Sequence, residues 1–381
     1  MALLLPGGIA LLAGLDAALL LLGLPAPLTT DRLPQVHGGL LVLGFVGTVI
    51  ALERSVALRR PWGHLAPGGL GLGALLVLSP APLALGQGVL VAGTLALLGV
   101  YAALWQRQAS AWLALQVLGA VLAAGSALLW WSGAPVATAL PWFAGFLVLT
   151  IAGERLELAR VGMLGDGVER GVLLLGVGLF AAVVATTLWP PVAHPVLGAA
   201  LLGLVGTLLV HDVARRTIRS TGLPRYMAWC LLAGYGWLLV AGGTWLLLGS
   251  VTAGPAYDAV VHAVFLGFTL SMIMAHAPVI LPAVLTRPLP YRPVLYVPVA
   301  LLHASLLLRI AVGDLHGQAW ALQVGGALNI AAVLLFLLLA VWSSVRGVPA
   351  AANRKAARTE RTEGTDGTES AAPHHEPEVV R

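Results

Sequence analysis

The sequence is dominated by long apolar stretches that recur along almost its whole length. A helix needs about 20 apolar residues to cross the roughly 30 Å hydrocarbon core of a bilayer, and twelve stretches approach this length. Charged residues make up only 10% of the chain, against about 25% in soluble domains. We therefore predict an all-α polytopic membrane protein of about twelve helices, near Leu3–Leu24, His37–Leu52, Leu65–Leu83, Val89–Trp105, Ala111–Trp131, Ala137–Ala152, Val172–Leu188, Val196–Val210, Met227–Leu248, Tyr257–Leu281, Val294–Val312 and Trp320–Val345.

The arginines between these stretches are concentrated in alternate loops. Arg59, Arg107, Arg215 and Arg287 lie in one set of loops, whereas the other set carries chiefly Arg32. Loops on the cytoplasmic side of a membrane are enriched in Lys and Arg. This pattern predicts a protein of the cytoplasmic membrane, surrounded by lipid, with both termini in the cytoplasm. It explains the net charge of +5 without nucleic acid as a partner.

The composition changes abruptly near the C-terminus. Residues 347–381 mix charges with small residues and contain little that could be buried, which is typical of disordered segments. The sequence thus predicts a transmembrane domain over residues 1–346 and a disordered cytoplasmic tail over 347–381.

A short motif recurs in three of the predicted helices. Gly44-Phe45 and Gly145-Phe146 are each followed nine residues later by Glu-Arg, and Gly267-Phe268 is followed nine residues later by His276. A weaker copy runs from Gly203 to Asp212. Self-similarity in a membrane chain indicates structural repeats, here a possible pseudo-three-fold repeat of four helices. Because Gly, Ala and Leu are abundant here, chance similarity is the alternative.

Two histidines are predicted at the same depth on different helices. His37 opens the second apolar stretch and His262 lies near the start of the tenth, and both stretches enter from the outside. Imidazoles are costly in hydrocarbon unless they are paired or ligated. Two of them at one depth on facing helices are the arrangement that bis-histidine ligation of haem iron requires.

A second group of histidines is predicted in the inner half of the membrane. His276 is fourteen residues beyond His262 on the same helix, or about 21 Å along its axis. His211 ends the eighth stretch and His303 lies early in the eleventh. Sites made of imidazoles suit copper, iron or zinc, so a second haem or a copper is a further expectation. Helix–helix hydrogen bonds are the alternative for any one histidine.

Three charged residues extend these predictions. Arg309 and Arg32 are expected near the outer histidines, where an arginine can bind a haem propionate through two hydrogen bonds or simply anchor the helix at the interface. Asp16 lies near the middle of the first stretch. An acid at that depth indicates a proton relay or a helix–helix hydrogen bond.

Two segments resemble a known family. LPQVHGGLLVLGFVGTVIALE and VVHAVFLGFTLSMIMAHAPVILPAVLTRPLPYRP resemble the two histidine-led signatures of NnrS-type membrane proteins. The resemblance implies a twelve-helix haem- and copper-containing protein connected with nitric oxide tolerance. The family is itself distantly similar to the catalytic subunit of haem–copper oxidases and nitric oxide reductases, in which histidines of helices 2 and 10 hold a low-spin haem. Those positions correspond to His37 and His262.

The chain also departs from these families. Gly38 and Gly39 follow His37, where NnrS-type proteins usually have a second histidine and an acid, and the seventh stretch contains no histidine. Oxidase-like oxygen reduction is therefore not implied. The expected function is a nitric oxide response or respiratory redox chemistry, with a quinol or a cytochrome as electron donor. Whether the protein is an enzyme stays open. The alternatives are a secondary transporter of a small solute or metal, and a metal-binding sensor or assembly factor.

Overall fold

The structure is a computed structural model that describes residues 3–160, 165–285 and 287–347. Over these ranges the chain is helical, without strands, as the apolar stretches predict. The predicted tail lies, except for Gly347, outside the described residues. Twelve helices form the bundle: α1 Leu4–Leu21, α2 Arg32–Leu58, α3 Leu65–Leu78, α4 Leu83–Arg107, α5 Ala111–Trp131, α6 Val136–Ala159, α7 Asp166–Leu188, α8 Pro190–His211, α9 Gly222–Leu248, α10 Gly254–Pro282, α11 Pro293–Asp314 and α12 Ala319–Arg346.

Eleven of these described helices are long and apolar enough to cross a membrane, and α3 is the exception. With 14 residues, α3 is about 21 Å long. The prediction of a span to Leu83 was therefore too long. The helix stops at Leu78 because Pro80 and Pro82 follow, and the residue before a proline is driven out of the helical region. The result is a polytopic all-α membrane protein with one short helix.

The helices that carry the Gly-Phe motif are the most buried of the spans. In the most apolar part of α2, α6 and α10, 67%, 78% and 61% of residues are buried, against at most 56% in the other spans. The motif glycines explain part of this burial. A side chain at Gly44, Gly145 or Gly267 would collide with a neighbouring helix, at Ala74, Leu122 and Trp237 respectively. The three-fold repeat itself stays a prediction.

Two of these central helices change their hydrogen-bond pattern in mid-membrane. Residues Leu40–Gly47 of α2 and Ala263–Leu270 of α10 are π-helical, and so is the end of α11 over Leu308–Asp314. π-Helical turns are rare in proteins, and those that occur often lie at functional sites. His37 and His262 lie just before the first two of these segments, and Arg309 lies within the third.

Close packing at one glycine gives a test of this arrangement. A Cβ atom at Gly198 of α8 would lie 2.5 Å from the Gly242 carbonyl oxygen of α9. Gly198→Leu should therefore lower the midpoint of thermal unfolding in detergent, at a cost of about 1–3 kcal/mol for overpacking. The matched control is Gly206→Leu on the same helix, where the added side chain meets open space. Equal losses from both variants would contradict this packing.

Candidate functional site

A cavity of about 490 Å³ lies in the middle of the bundle, within the range of small-ligand pockets. It is lined by residues of α1, α2, α6, α10, α11 and α12. Its wall is mostly apolar. We call the end of the bundle that carries the loop arginines Arg59, Arg107 and Arg215 the basic end. Several polar residues of the cavity lie toward the opposite end of the bundle. The polar side chains of the cavity are Gln35, His37, Tyr257, Asp258, His262, Thr269, Arg309 and Asn329.

His37 reaches this cavity from α2, and a carbonyl group of α1 holds its ring. His37 Nδ1 donates to the carbonyl oxygen of Gly14 at 2.9 Å. The two helices approach closely there, since a side chain at Gly14 would overlap Leu41. Because a carbonyl only accepts, the proton of neutral His37 resides on Nδ1 and the lone pair on Nε2. Histidines that bind metals are usually held in this way.

His262 reaches the same cavity from α10 and is held in the same way. Its Nδ1 donates to the carbonyl oxygen of Asp258 at 2.8 Å and lies 3.2 Å from the Asp258 carboxylate. Neither His262 nor His37 has a hydrogen bond through Nε2 to a residue that the structure describes. The two rings are close enough to interact electrostatically. The structure thus brings two imidazoles with available Nε2 atoms to one cavity.

An ion pair closes the polar end of the cavity beside His262. Arg309 Nε and Nη2 donate to the two carboxylate oxygens of Asp258 at 2.9 and 2.8 Å. Asp258 therefore links the guanidinium group to the His262 ring. The sequence reasoning identified Arg309 and His262 but missed Asp258. The available signal was its position one helical turn before His262, which places both on one face.

An amide on α12 adds an unpaired acceptor to the cavity wall. Asn329 Nδ2 donates to the Leu302 carbonyl oxygen and to Ser305 Oγ at 3.2 and 2.6 Å. Asn329 Oδ1 is buried and has no partner among the described residues. Buried polar atoms are nearly always hydrogen-bonded. The free oxygen therefore favours a ligand or water that donates to it.

Two further residues that the sequence singled out, Arg32 for the cofactor and Asp16 for a proton relay, do not line the cavity. Arg32 does not line the cavity, because its guanidinium Nη1 donates to the carbonyl oxygens of Ser79 and Ala81 and so fixes the α3–α4 loop. The structure therefore places Arg32 outside the cavity, and a cofactor contact of Arg32 stays a prediction. Asp16 Oδ2 accepts the Leu28 backbone N–H at 3.1 Å, which ties the loop after α1 to the helix. A proton relay through Asp16 stays a prediction.

The three inner histidines do not gather into one site. In the described part of the chain, no group of three or more His, Cys, Asp or Glu side chains is placed to hold a metal ion. His211 is exposed at the end of α8. Trp237 Nε1 donates to His303 Nδ1 at 2.9 Å, and His303 Nε2 contacts Ser271 Oγ at 3.3 Å. Both nitrogens of His303 are therefore engaged.

His276 is also engaged on both nitrogens. Its Nδ1 donates to the Met272 carbonyl oxygen at 2.7 Å, and Arg155 Nη1 lies 3.4 Å from its Nε2. Arg155 in turn binds Asp212, the residue after His211. The structure thus does not bring His211, His276 and His303 together, because depth along the membrane does not decide which way each ring faces. An inner copper or haem site on these residues stays a prediction.

Comparison with known proteins identifies a family without a described activity. The family model described as "Domain of unknown function (DUF8744)" matches residues 1–345. No curated protein and no solved structure matches the chain. Since the matched region covers all twelve helices, the chain belongs to the DUF8744 family.

Proposed function

We propose that this protein is an integral membrane haem protein in which His37 and His262 would hold the iron. One observation carries the proposal. Both rings line one cavity, and each has its Nδ1 engaged with a backbone carbonyl group. Histidines of this kind present Nε2 to a metal with a fixed tautomer and ring orientation.

The shape and polarity of the cavity suit the same cofactor. A porphyrin is a large apolar ring with carboxylates on one edge. The cavity has an apolar depth and a polar end where Arg309 is paired with Asp258. Asp258 binds Nε and Nη2 of Arg309, so Nη1 is the nitrogen that would donate to a propionate. A side chain at Gly326 would overlap the Arg309 guanidinium group, so this glycine leaves room for that group at the polar end.

The ligand set favours electron transfer over gas binding at this position. A haem held by His37 and His262 would supply one-electron redox chemistry when bound here. The resemblance to NnrS-type proteins supports a role in a nitric oxide response or in respiratory redox chemistry. The distribution of loop arginines supports the cytoplasmic membrane with both termini inside. A quinol or a cytochrome as electron donor stays a prediction.

The proposal is tested on the purified full-length protein in detergent, prepared from cells supplied with a haem precursor. We expect a Soret band, a reduced-minus-oxidised spectrum typical of bis-histidine haem, and iron in the metal analysis. A colourless, iron-free protein after reconstitution with haem would overturn the proposal. If that protein instead bound a small solute, it would favour the secondary transporter.

Asp258 provides a finer test because it contacts the ring of one proposed ligand. Asp258→Asn removes a negative charge beside His262. The imidazole then becomes less basic and donates less electron density to a bound iron. We expect the reduction potential of the haem to rise, because the anion stabilises the ferric state, and haem retention to fall by about 10- to 100-fold. Redox titration and haem-transfer assays measure both. Asp31→Asn, on the exposed Asp31 of the α1–α2 loop, is the control. An unchanged potential in Asp258→Asn would contradict this role.

A further inference from the structure

A second buried polar cluster lies toward the basic end, separate from the cavity. It consists of Glu53 and Arg54 of α2, Tyr101 of α4, Gln116 of α5 and Glu154 of α6. Arg54 Nη2 lies 2.8 Å from Glu53 Oε1 and 3.3 Å from Glu154 Oε1, and Arg54 Nη1 lies 3.3 Å from Gln116 Oε1. We call these five residues the Arg54 cluster.

The Arg54 cluster contains more acid than base. Glu53 and Glu154 share a single nitrogen of Arg54, and Glu157 adds a third carboxylate within electrostatic range. Arg155, the next nearest cation, is bound through two nitrogens to Asp212. In a low-dielectric environment, the negative charge of one carboxylate opposes ionisation of its neighbour. Two carboxylates with one counterion between them therefore share a proton.

Three polar atoms of the cluster are unpaired among the described residues. Arg54 Nε, Gln116 Nε2 and the Tyr101 hydroxyl group are each buried and without a hydrogen-bond partner. Tyr101 and Gln116 have no exposed surface at all. All three atoms can donate. Buried groups of this kind are where internal water binds, typically through about three hydrogen bonds. Water here would accept from these donors and donate to the carboxylates.

The cluster also reaches the surface of the protein. The side chain of Glu53 is 26% exposed, whereas that of Glu154 is 16% exposed and that of Arg54 is 10% exposed. Glu53 is therefore the member of the cluster that reaches furthest toward the protein surface. Acids placed in this way within membrane helices recur in proton relays.

We propose that the Arg54 cluster is a proton-exchange site. A proton enters from the water at the basic end, is taken up at the Glu53–Glu154 pair, and leaves by the same route. Tyr101 and Gln116 hold the water that carries it. No bond other than O–H is made or broken, and nothing is oxidised or reduced. The proposal does not depend on haem, so a colourless protein leaves it intact.

The groups that act on this proton come from several elements. Glu53 and Arg54 face Glu154 from α2, Tyr101 from α4, and Arg155 and Glu157 from α6 itself. Asp212 and His276 act on it through Arg155. Because Arg155 is committed to Asp212, Arg54 is the cation that governs the shared proton.

Infrared spectroscopy of the full-length protein in lipid nanodiscs at neutral pH tests the proposal. We expect a C=O band of a protonated carboxyl group that shifts on transfer to D₂O. Glu154→Gln should remove this band. Asp166→Asn, which changes an exposed carboxylate at the start of α7, should retain it. A wild-type spectrum without the band, a band that survives Glu154→Gln, or a band that D₂O never shifts would each overturn the proposal.

A second variant keeps the test decisive if Glu154→Gln does not fold. Tyr101→Phe keeps the ring and removes only the unpaired hydroxyl group. We expect the carboxyl band to persist and its exchange in D₂O to slow severalfold. Exchange at the wild-type rate in a folded Tyr101→Phe protein would show that the hydroxyl group carries no proton and would overturn the proposed route.

Discussion

Replacing either His37 or His262 by alanine should abolish the spectrum of a six-coordinate haem. Each ring supplies one of the two Nε2 atoms that line the cavity, so loss of one leaves the iron with a single protein ligand. We expect the Soret band to disappear or to change to that of a five-coordinate haem, with most of the bound iron lost on purification. Optical spectra and iron content per protein measure the effect.

Two controls separate ligation from packing. His211→Ala removes an exposed histidine at the end of α8 and should leave the spectrum unchanged. His262→Gly with added imidazole should regain the six-coordinate spectrum, because a free imidazole can enter the space left by the ring. A full wild-type spectrum in His37→Ala, or equal loss in His211→Ala, would rule out the two rings as the ligands.

Breaking the Arg155–Asp212 pair should produce the largest loss of stability. Two nitrogens of Arg155 bind the Asp212 carboxylate at 2.9 and 2.7 Å, and Tyr235 donates to the same group at 2.7 Å. Both charged side chains are at most 5% exposed. Asp212→Ala leaves a buried guanidinium group without its partner, which costs about 3–5 kcal/mol. The midpoint of thermal unfolding in detergent reports this loss.

The matched control for Asp212→Ala is Asp31→Ala, which removes an exposed carboxylate and should shift the midpoint little. Replacing Arg155 and Asp212 together by apolar residues should recover part of the loss, because neither charge then stays buried alone. An Asp212→Ala protein as stable as the wild type would show that the pair does not hold α6 to the end of α8.

The same pair makes stability depend on pH. Burial alone would raise the pKa of Asp212, but the hydrogen bonds and charge of Arg155 outweigh it and hold the pKa below its ordinary value. A group whose pKa is lower in the folded than in the unfolded state stabilises the fold at pH values above its pKa in the unfolded chain. That pKa is about 3.9 for Asp. This contribution is lost as the pH falls toward the lower folded value. The unfolding midpoint of the wild type should therefore fall on acidification more than that of Asp212→Ala.

The class of fold and the helix positions were predictable from the residues. Hydropathy decides which segments cross a bilayer, because every backbone polar group in lipid must be paired within a helix. Eleven predicted stretches correspond to spanning helices, and α3 was misjudged only in length, since Pro80 and Pro82 end it early. The depth of each histidine followed from the same count of residues.

The grouping of side chains was decided by packing between helices. Depth grouped His37 with His262, which line one cavity, but the same reasoning grouped His211, His276 and His303, which the structure does not bring together. Periodicity along one helix gives the direction of a side chain only relative to that helix. Its rotation against a neighbour depends on contacts such as Gly267 against Trp237 and Gly14 against Leu41, which join residues far apart in the chain. Those contacts turn two imidazoles toward one cavity and turn His303 toward Trp237 instead.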